Sequence, residues 1–147
     1  MFIKKKHYKR KVLHNKYGGR RQHGISNCPR HPMIFIFSGE TGEQYGYEDG
    51  WDKDKYFWYS GEGQTGDMEF KGGNKSLVNH ISNNKKVYLF RKIRSSGYWK
   101  FIDELKLVDY LYYPIVYKED GRKSLTRKGI KFKFMSVSSE TKEKTNA

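Results

Sequence analysis

The sequence predicts a mainly β (α+β) fold, a curled or barrel-like sheet of six or more strands with one or two short helices. Three observations lead there. Aromatic and β-branched residues collect in short runs that suit a half-buried pleated surface. Gly- and Asp-rich turns separate several of those runs, and only one stretch shows apolar residues at convincing helical spacing.

Taken in order, residues 1–16 are polar and basic with no sustained apolar face, and they read as a flexible arm. Lys16 to Pro32 is a loop rich in Gly, Arg and His, leading into Met33-Ile34-Phe35-Ile36-Phe37, an apolar run of buried-strand type. Tyr56-Phe57-Trp58-Tyr59 is a second strand between turns. Asn74 to Ser82 reads as the helix, with Leu77, Val78 and Ile81 on one side and Asn74 able to cap its start. Val87–Phe90, Tyr98–Val108, Leu111–Tyr117 and Ile130–Val137 favour strand, with a turn near Gly121. The resulting domain spans residues 17–137, and the polar residues 138–147 read as a linker or frayed end.

A formal net charge of +14 on 147 residues exceeds what solubility needs and points to a polyanionic partner. Lys4, Lys5, Lys6, Lys9, Arg10, Lys11, Lys16, Arg20, Arg21 and Arg30 all precede the first acid, Glu40. The acids gather between Glu40 and Glu69, where they are suited to accepting hydrogen bonds from a base or capping turns. No apolar run approaches the roughly 20 residues a membrane span needs, and the start lacks the apolar core of a secretory signal. A single cysteine, Cys28, rules out an internal disulfide framework and suits a reducing cytoplasm. No cofactor or metal is expected: the five histidines lack ligand spacing and Cys28 has no partner cysteine for zinc. Glu104-Leu105-Lys106 has the Glu-x-Lys form of some nucleases, a pattern that arises easily by chance. Asp103 and Glu104 are instead expected on the solvent face of a strand.

The stretch from Tyr45 to Met68 is the most informative. It sets aromatic rings, carboxylates and close-approach glycines side by side, a combination that suits an extruded nucleobase, although the same rings could simply fill a β core. The ordered series Gly24-Ile25, an apolar strand, Tyr47-Glu48-Asp49-Gly50, Phe57-Trp58-Tyr59-Ser60-Gly61, Gly66-Asp67, Asn74-Lys75-Ser76-Leu77 and Lys86-Val87 resembles the SRA or YDG domain, a curled β fold that binds methylated cytosine. Within that family it looks most like the amino-terminal reader of bacterial modification-dependent restriction endonucleases, whose partner is an HNH nuclease domain. The resemblance spans roughly residues 18 to 117.

The resemblance implies double-stranded DNA carrying 5-methylcytosine or 5-hydroxymethylcytosine as the partner, base flipping as the mode of reading, and a nuclease domain fused or associated. It implies two rings that sandwich the base, Tyr47 and Tyr59, with Trp51 as a substitute for the first, and Ser60 in the pocket for the C5 substituent. Where relatives carry a carboxylate for the cytosine amine this chain has Gly50, so Asp49, Asp52 or backbone carbonyls take that role. Arg20, Arg21, Gln22, His23, Asn27 and Arg30 form the expected DNA-contacting loop, and Lys75 and Arg91 are further phosphate contacts. No residue is assigned a catalytic role. The alternatives are a complete small metal-dependent nuclease, or a single-stranded nucleic-acid-binding module using the same aromatics.

Overall fold

A computed structural model describes residues 2–39, 49–119 and 123–138. Its elements are β1 (His7–Lys9), α1 (Arg10–Tyr17), β2 (Ile25–Cys28), β3 (Met33–Ser38), β4 (Gly50–Trp51), β5 (Phe57–Ser60), α2 (Gly72–Val78), β6 (Lys86–Lys92), β7 (Tyr98–Glu119) and β8 (Lys123–Ser136). The strands form one mixed eight-stranded sheet in the order β2-β3-β6-β7-β8-β5-β4, with β1 added against β7. The β3–β6 pair is parallel, with Ile34 opposite Val87 and Ile36 opposite Leu89; the other pairs are antiparallel. No helix among the described residues is long and apolar enough to cross a membrane.

The predicted strands are present, and the two expected near Tyr98–Val108 and Leu111–Tyr117 are one continuous strand, β7. A register shift between Leu107 and Asp109 takes up the irregularity. The turn expected at Gly121 lies outside the described residues. The helix begins at Gly72, two residues before its expected start. Asn74 is therefore inside α2, buried, and it staples rather than caps: its Oδ1 accepts from Glu62 N at 2.8 Å while its Nδ2 donates to the carbonyls of Glu62 and Glu69.

The reading of residues 1–16 as a flexible arm is corrected by the fold. His7–Lys9 pairs with Tyr98–Lys100, and Arg10–Tyr17 is helical, burying Leu13 and His14. Phe2 packs against Tyr8, Tyr17, Phe35, Tyr88, Phe90 and Phe101, with ring centroids 5.1–5.8 Å away. Six surrounding rings make this segment part of the core. Its helix has too little amphipathic pattern to stand alone and is held by tertiary burial. Asp103 also departs from expectation. It is buried, accepting from Ser136 Oγ at 2.6 Å and facing Lys4 Nζ at 3.4 Å.

The apolar residues divide into two clusters, one centred on Ile34, Ile36, Phe57, Tyr59, Leu89, Phe132 and Phe134, the other on Phe35, Phe37, Phe90 and Phe101. This is the alternation of β3 made visible: even and odd positions face opposite sides. The sheet curls enough for its two ends to meet. Tyr59, on β5 near one end, donates its hydroxyl to the Phe37 carbonyl of β3 near the other, at 3.0 Å. Gly24 permits this approach, since a Cβ there would lie 2.7 Å from the Tyr59 hydroxyl oxygen.

Two buried histidines fasten connections. His14 Nδ1 lies 2.8 Å from the Gly18 carbonyl and its Nε2 accepts from Arg10 Nε at 3.0 Å. His80 Nδ1 lies 2.8 Å from the Lys85 carbonyl, and its Nε2 accepts from Leu107 N at 3.0 Å, beside the β7 irregularity. Both therefore carry their proton on Nδ1, and a second proton on Nε2 would face a donor. Burial, foremost, holds both below the ordinary histidine value.

Two measurements check this account. Tyr59→Phe should cost about 1–2 kcal/mol by leaving the Phe37 carbonyl unpaired, and Tyr59→Ala about 3–5 kcal/mol, both read as a lower urea midpoint. The unfolded chain binds protons near pH 6.5 that the folded histidines refuse. Stability should therefore be level above about pH 7 and decline as pH falls from about 6.5. The combined variant His14→Gln, His80→Gln should show a shallower decline over the same window.

Candidate nucleic-acid interface

The loop between α1 and β2 is shaped by its glycines and held from beneath. Gly18 and Gly19 both have positive φ, +83° and +84°, and a Cβ on Gly19 would meet Ser26 Oγ at 2.2 Å. Ser26 Oγ accepts from Arg20 N at 2.9 Å. Arg10, a residue of the misread arm, reaches under the loop. Its guanidinium donates to the carbonyls of Arg20 and His23 and lies 3.7 Å from the Phe37 ring centroid. Burial pushes its pKa down to about 10, which leaves it charged at neutral pH. Arg10 was not singled out in the sequence because a helix too short to show periodicity conceals which of its cations turns inward.

Arg20, Arg21, Gln22, His23 and Arg30 are exposed on or beside this loop. Arg20, His23 and Asn27 line a cleft of about 290 Å³ together with Glu62, Gly73 and Ser76. His23 and Glu62 also line a wider neighbouring cleft of about 600 Å³ that runs along Gly63–Asp67. Asn27 is anchored by Lys85, whose Nζ donates to its Oδ1 at 2.8 Å. Lys75 is exposed on α2; Arg91 is exposed on β6, between Ser38 and Lys100, and neither lines a cleft named here.

The floor of the wider cleft is fixed by contacts invisible in the sequence. Glu62 Oε1 accepts from Gly73 N at 2.7 Å. Buried Arg127 donates to the carbonyls of Gly63 and Gly66 at 2.7 and 3.1 Å, and Asp67 Oδ1 accepts from Lys128 N at 2.6 Å. The glycine-rich segment is thus a loop clamped between α2 and β8.

The expected base-pocket residues separate. Tyr47 lies outside the described residues. Tyr59 is buried in the core, 5% exposed, so its ring is not presented for stacking as expected. The reason is the strand's period of two: Phe57 and Tyr59 stand opposite Phe134 and Phe132, while Trp58 and Ser60 stand opposite Lys133 and Lys131 on the other face. Trp51 stands opposite Phe57 with rings 5.3 Å apart, so it too is away from the face of Ser60. Asp52 holds a turn, accepting from the backbone of Asp54 and Tyr56 and from Trp58 Nε1 at 2.8–3.0 Å. These bonds, that from Trp58 first, lower its pKa.

Asp49 and Ser60 do come together. Asp49 Oδ1 accepts from Ser60 N at 2.8 Å, and burial raises the Asp49 pKa against the opposing effect of the Ser60 bonds and Lys131. Tyr113, on β7, places its hydroxyl 3.3 Å from Ser60 Oγ; its ring lies 5.1 Å from Lys131 Nζ. Its cross-strand partner is Gly129, where a Cβ would strike the Tyr113 ring at 2.7–2.8 Å. Tyr113 was missed because only the pairing of β7 with β8 brings it to Ser60. The register that sets Tyr113 opposite Gly129 is a tertiary fact that the sequence does not display. Among the described residues no three His, Cys, Asp or Glu side chains gather to hold a metal ion.

Several solved structures share this fold. The sulfur binding domain and SRA domain of ScoMcrA, complexed with phosphorothioated DNA, has 22% identity and a TM-score of 0.68 over 93% of this chain and 40% of that one. The SUVH5 SRA domain in complex with methylated CHH DNA has 20% identity and a TM-score of 0.59, covering 90% of this chain and 87% of that one. The DNA modification-dependent restriction endonuclease AspBHI has 14% identity and a TM-score of 0.57 over 83% and 65% of the two chains. This chain thus spans well under half of the ScoMcrA chain it matches. No curated protein matches the sequence. The ScoMcrA-like SRA domain family matches residues 4–147, a span that takes in the ordered amino-terminal segment as well as the clefts and the Asp49–Ser60–Tyr113 group, and the chain belongs to that family.

Proposed function

We propose that this chain is a DNA-binding module that recognises a modified cytosine, 5-methyl or 5-hydroxymethyl, in duplex DNA by turning the base out of the helix. In this reading it is not itself a catalyst. It lends its recognition to a restriction nuclease domain, fused to it or associated with it. The observation that carries the proposal is the meeting of Asp49, Ser60 and Tyr113 on one side of the sheet. A carboxylate short of solvation is a strong acceptor for an exocyclic amine. Beside it lies the Ser60 hydroxyl, buried at 4% exposure and bonded to Tyr113, whose donor and acceptor a C5 substituent would engage, and the tyrosine ring offers a face to a base. With Asp52 committed to its turn, Asp49 is the acid assigned to the cytosine amine. Tyr47 is assigned the opposing ring by the family resemblance alone.

The basic loop supplies the phosphate contacts. Arg20 lines the cleft, Arg21 is exposed beside it in the loop whose backbone Arg10 holds, and Arg30 is exposed in the turn between β2 and β3. The relatives' names support a modified-DNA partner: SUVH5 is described with methylated DNA, AspBHI as modification-dependent, and ScoMcrA with phosphorothioated DNA. ScoMcrA has a sulfur binding domain as well as its SRA domain. This chain, matching the SRA domain family, is accordingly assigned base reading rather than sulfur reading.

Titration of otherwise identical duplexes bearing cytosine, 5-methylcytosine, 5-hydroxymethylcytosine or a phosphorothioate tests the proposal. Both modified bases should bind at least tenfold more tightly than cytosine and within about tenfold of each other, a span of about 1.4 kcal/mol. The phosphorothioate should bring no gain. Asp49→Asn keeps an acceptor for Ser60 N but weakens the bond to the amine, and should cost about 1 kcal/mol on modified DNA. Ser60→Thr should shift the ratio toward 5-methylcytosine. Equal affinity for all four duplexes would refute modified-base reading. In the same assays, about six phosphate contacts predict a log–log salt slope near −5, and Arg20→Ala or Arg21→Ala should each reduce its magnitude by about one.

A further inference from the structure

Beyond the level of β5, strands β7 and β8 continue as a ribbon, pairing as far as Glu119 opposite Lys123. Where the ribbon leaves the sheet there is a recess of about 380 Å³ lined by Asp67, Tyr112, Tyr113, Pro114, Arg127 and Lys128. Its chemistry is uneven in an informative way. Tyr112 is 50% exposed, and Lys128 Nζ lies 4.6 Å from its centroid. Tyr110 stands edge-on to Tyr112 at 6.0 Å and to Phe70 at 4.9 Å, so the exposed ring is braced from behind. Arg127 is fixed by its two loop carbonyls. A flat ring with a cation over its face offers a stacking surface to a nucleobase and a charge to its phosphate.

Tyr113 ties this recess to the Asp49–Ser60 group: its hydroxyl reaches Ser60 Oγ at 3.3 Å and it also lines the recess. One tyrosine therefore borders both places. We infer that the recess receives the nucleotide adjacent, on the same strand, to the extruded modified cytosine, its base stacking on Tyr112 and its phosphate meeting Lys128. This rests on the base-flipping reading above. It makes the ribbon a second reading element, able to impose a preference on the base beside the modification.

The experiment places 2-aminopurine immediately 5′ or 3′ of 5-methylcytosine in a duplex and follows its fluorescence and the affinity for wild type, Tyr112→Ala and Lys128→Ala. Both side chains are exposed, and thermal melting verifies that each variant keeps the wild-type fold. On binding wild type, one of the two probes should change its fluorescence, and Tyr112→Ala should abolish that change and weaken binding about tenfold. Lys128→Ala should weaken binding severalfold and reduce the salt slope by about one. The ratio of modified to unmodified affinity should survive both substitutions. A wild type that prefers modified DNA while Tyr112→Ala matches it in affinity and fluorescence would overturn the recess alone. A wild type without that preference would overturn the base-flipping reading and this inference together.

Discussion

The sheet is a strip whose two ends must be brought together, and the Tyr59 hydroxyl bonded to the Phe37 carbonyl is where they meet. A strip of eight strands twists and coils without assistance, but twist alone does not choose how far it curls. The bridge does, because it joins the second strand from one end to the second strand from the other. The close approach at Gly24 and the packing of the Tyr59 ring among Phe57, Ile36 and Phe132 act at the same seam. Everything placed at the mouth of the curl inherits its position from it. The loop of Arg20 and His23 enters at Gly24, and Arg10 ties that loop to the ring of Phe37.

That constraint also explains why the site was only half legible in the sequence. Tyr59 and Ser60 are neighbours in a motif, and reading the motif as a unit assigned both to one pocket. In a strand they cannot share a face: Tyr59 went to the core and Ser60 to the side of Lys131. Choosing which residue took which side needed the identity of the partner strand, and β8 lies more than sixty residues away. A separation of 53 residues from Ser60 hid Tyr113. Asp49 and Asp52 were equivalent candidates until the turn geometry consumed Asp52.

The strands themselves were legible because they are short, apolar and rich in aromatics, as with Met33–Phe37. The amino-terminal segment was not. Its strand has three residues, His7-Tyr8-Lys9, of which only Tyr8 is partly buried, and its helix buries only two side chains. Neither carries a pattern that periodicity could detect. What fixes them is Phe2 inside a ring of aromatics contributed by six positions between Tyr8 and Phe101, a tertiary fact. Its polar, basic composition reads as a flexible arm; the apolar residue at its start decides instead that it is structure.

The distribution of charge then has a physical reading different from simple segregation. Four acids of the middle segment are spent on backbone amides. Asp49, Asp52, Glu62 and Asp67 accept backbone N–H bonds from Ser60, from Asp54 and Tyr56, from Gly73 and from Lys128. A carboxylate spent on amides shapes a loop, and its local geometry leaves no need for a cationic partner. Among the described residues, the ion pairs of Lys4 with Asp103 and Lys71 with Glu69 leave most Lys and Arg side chains to other partners. Several turn to rings: Lys128 to Tyr112, Lys131 to Tyr113, and Lys133 to Tyr56 and Trp58. A cation resting on a ring is held in place without being neutralised, so it retains its attraction for phosphate while the ring beside it offers a stacking surface. Lys131 and Lys133 with their aromatic neighbours thus combine the two interactions that bind an unpaired nucleotide on the side of the sheet to which Ser60 points, and Lys128 with Tyr112 combines them on the other.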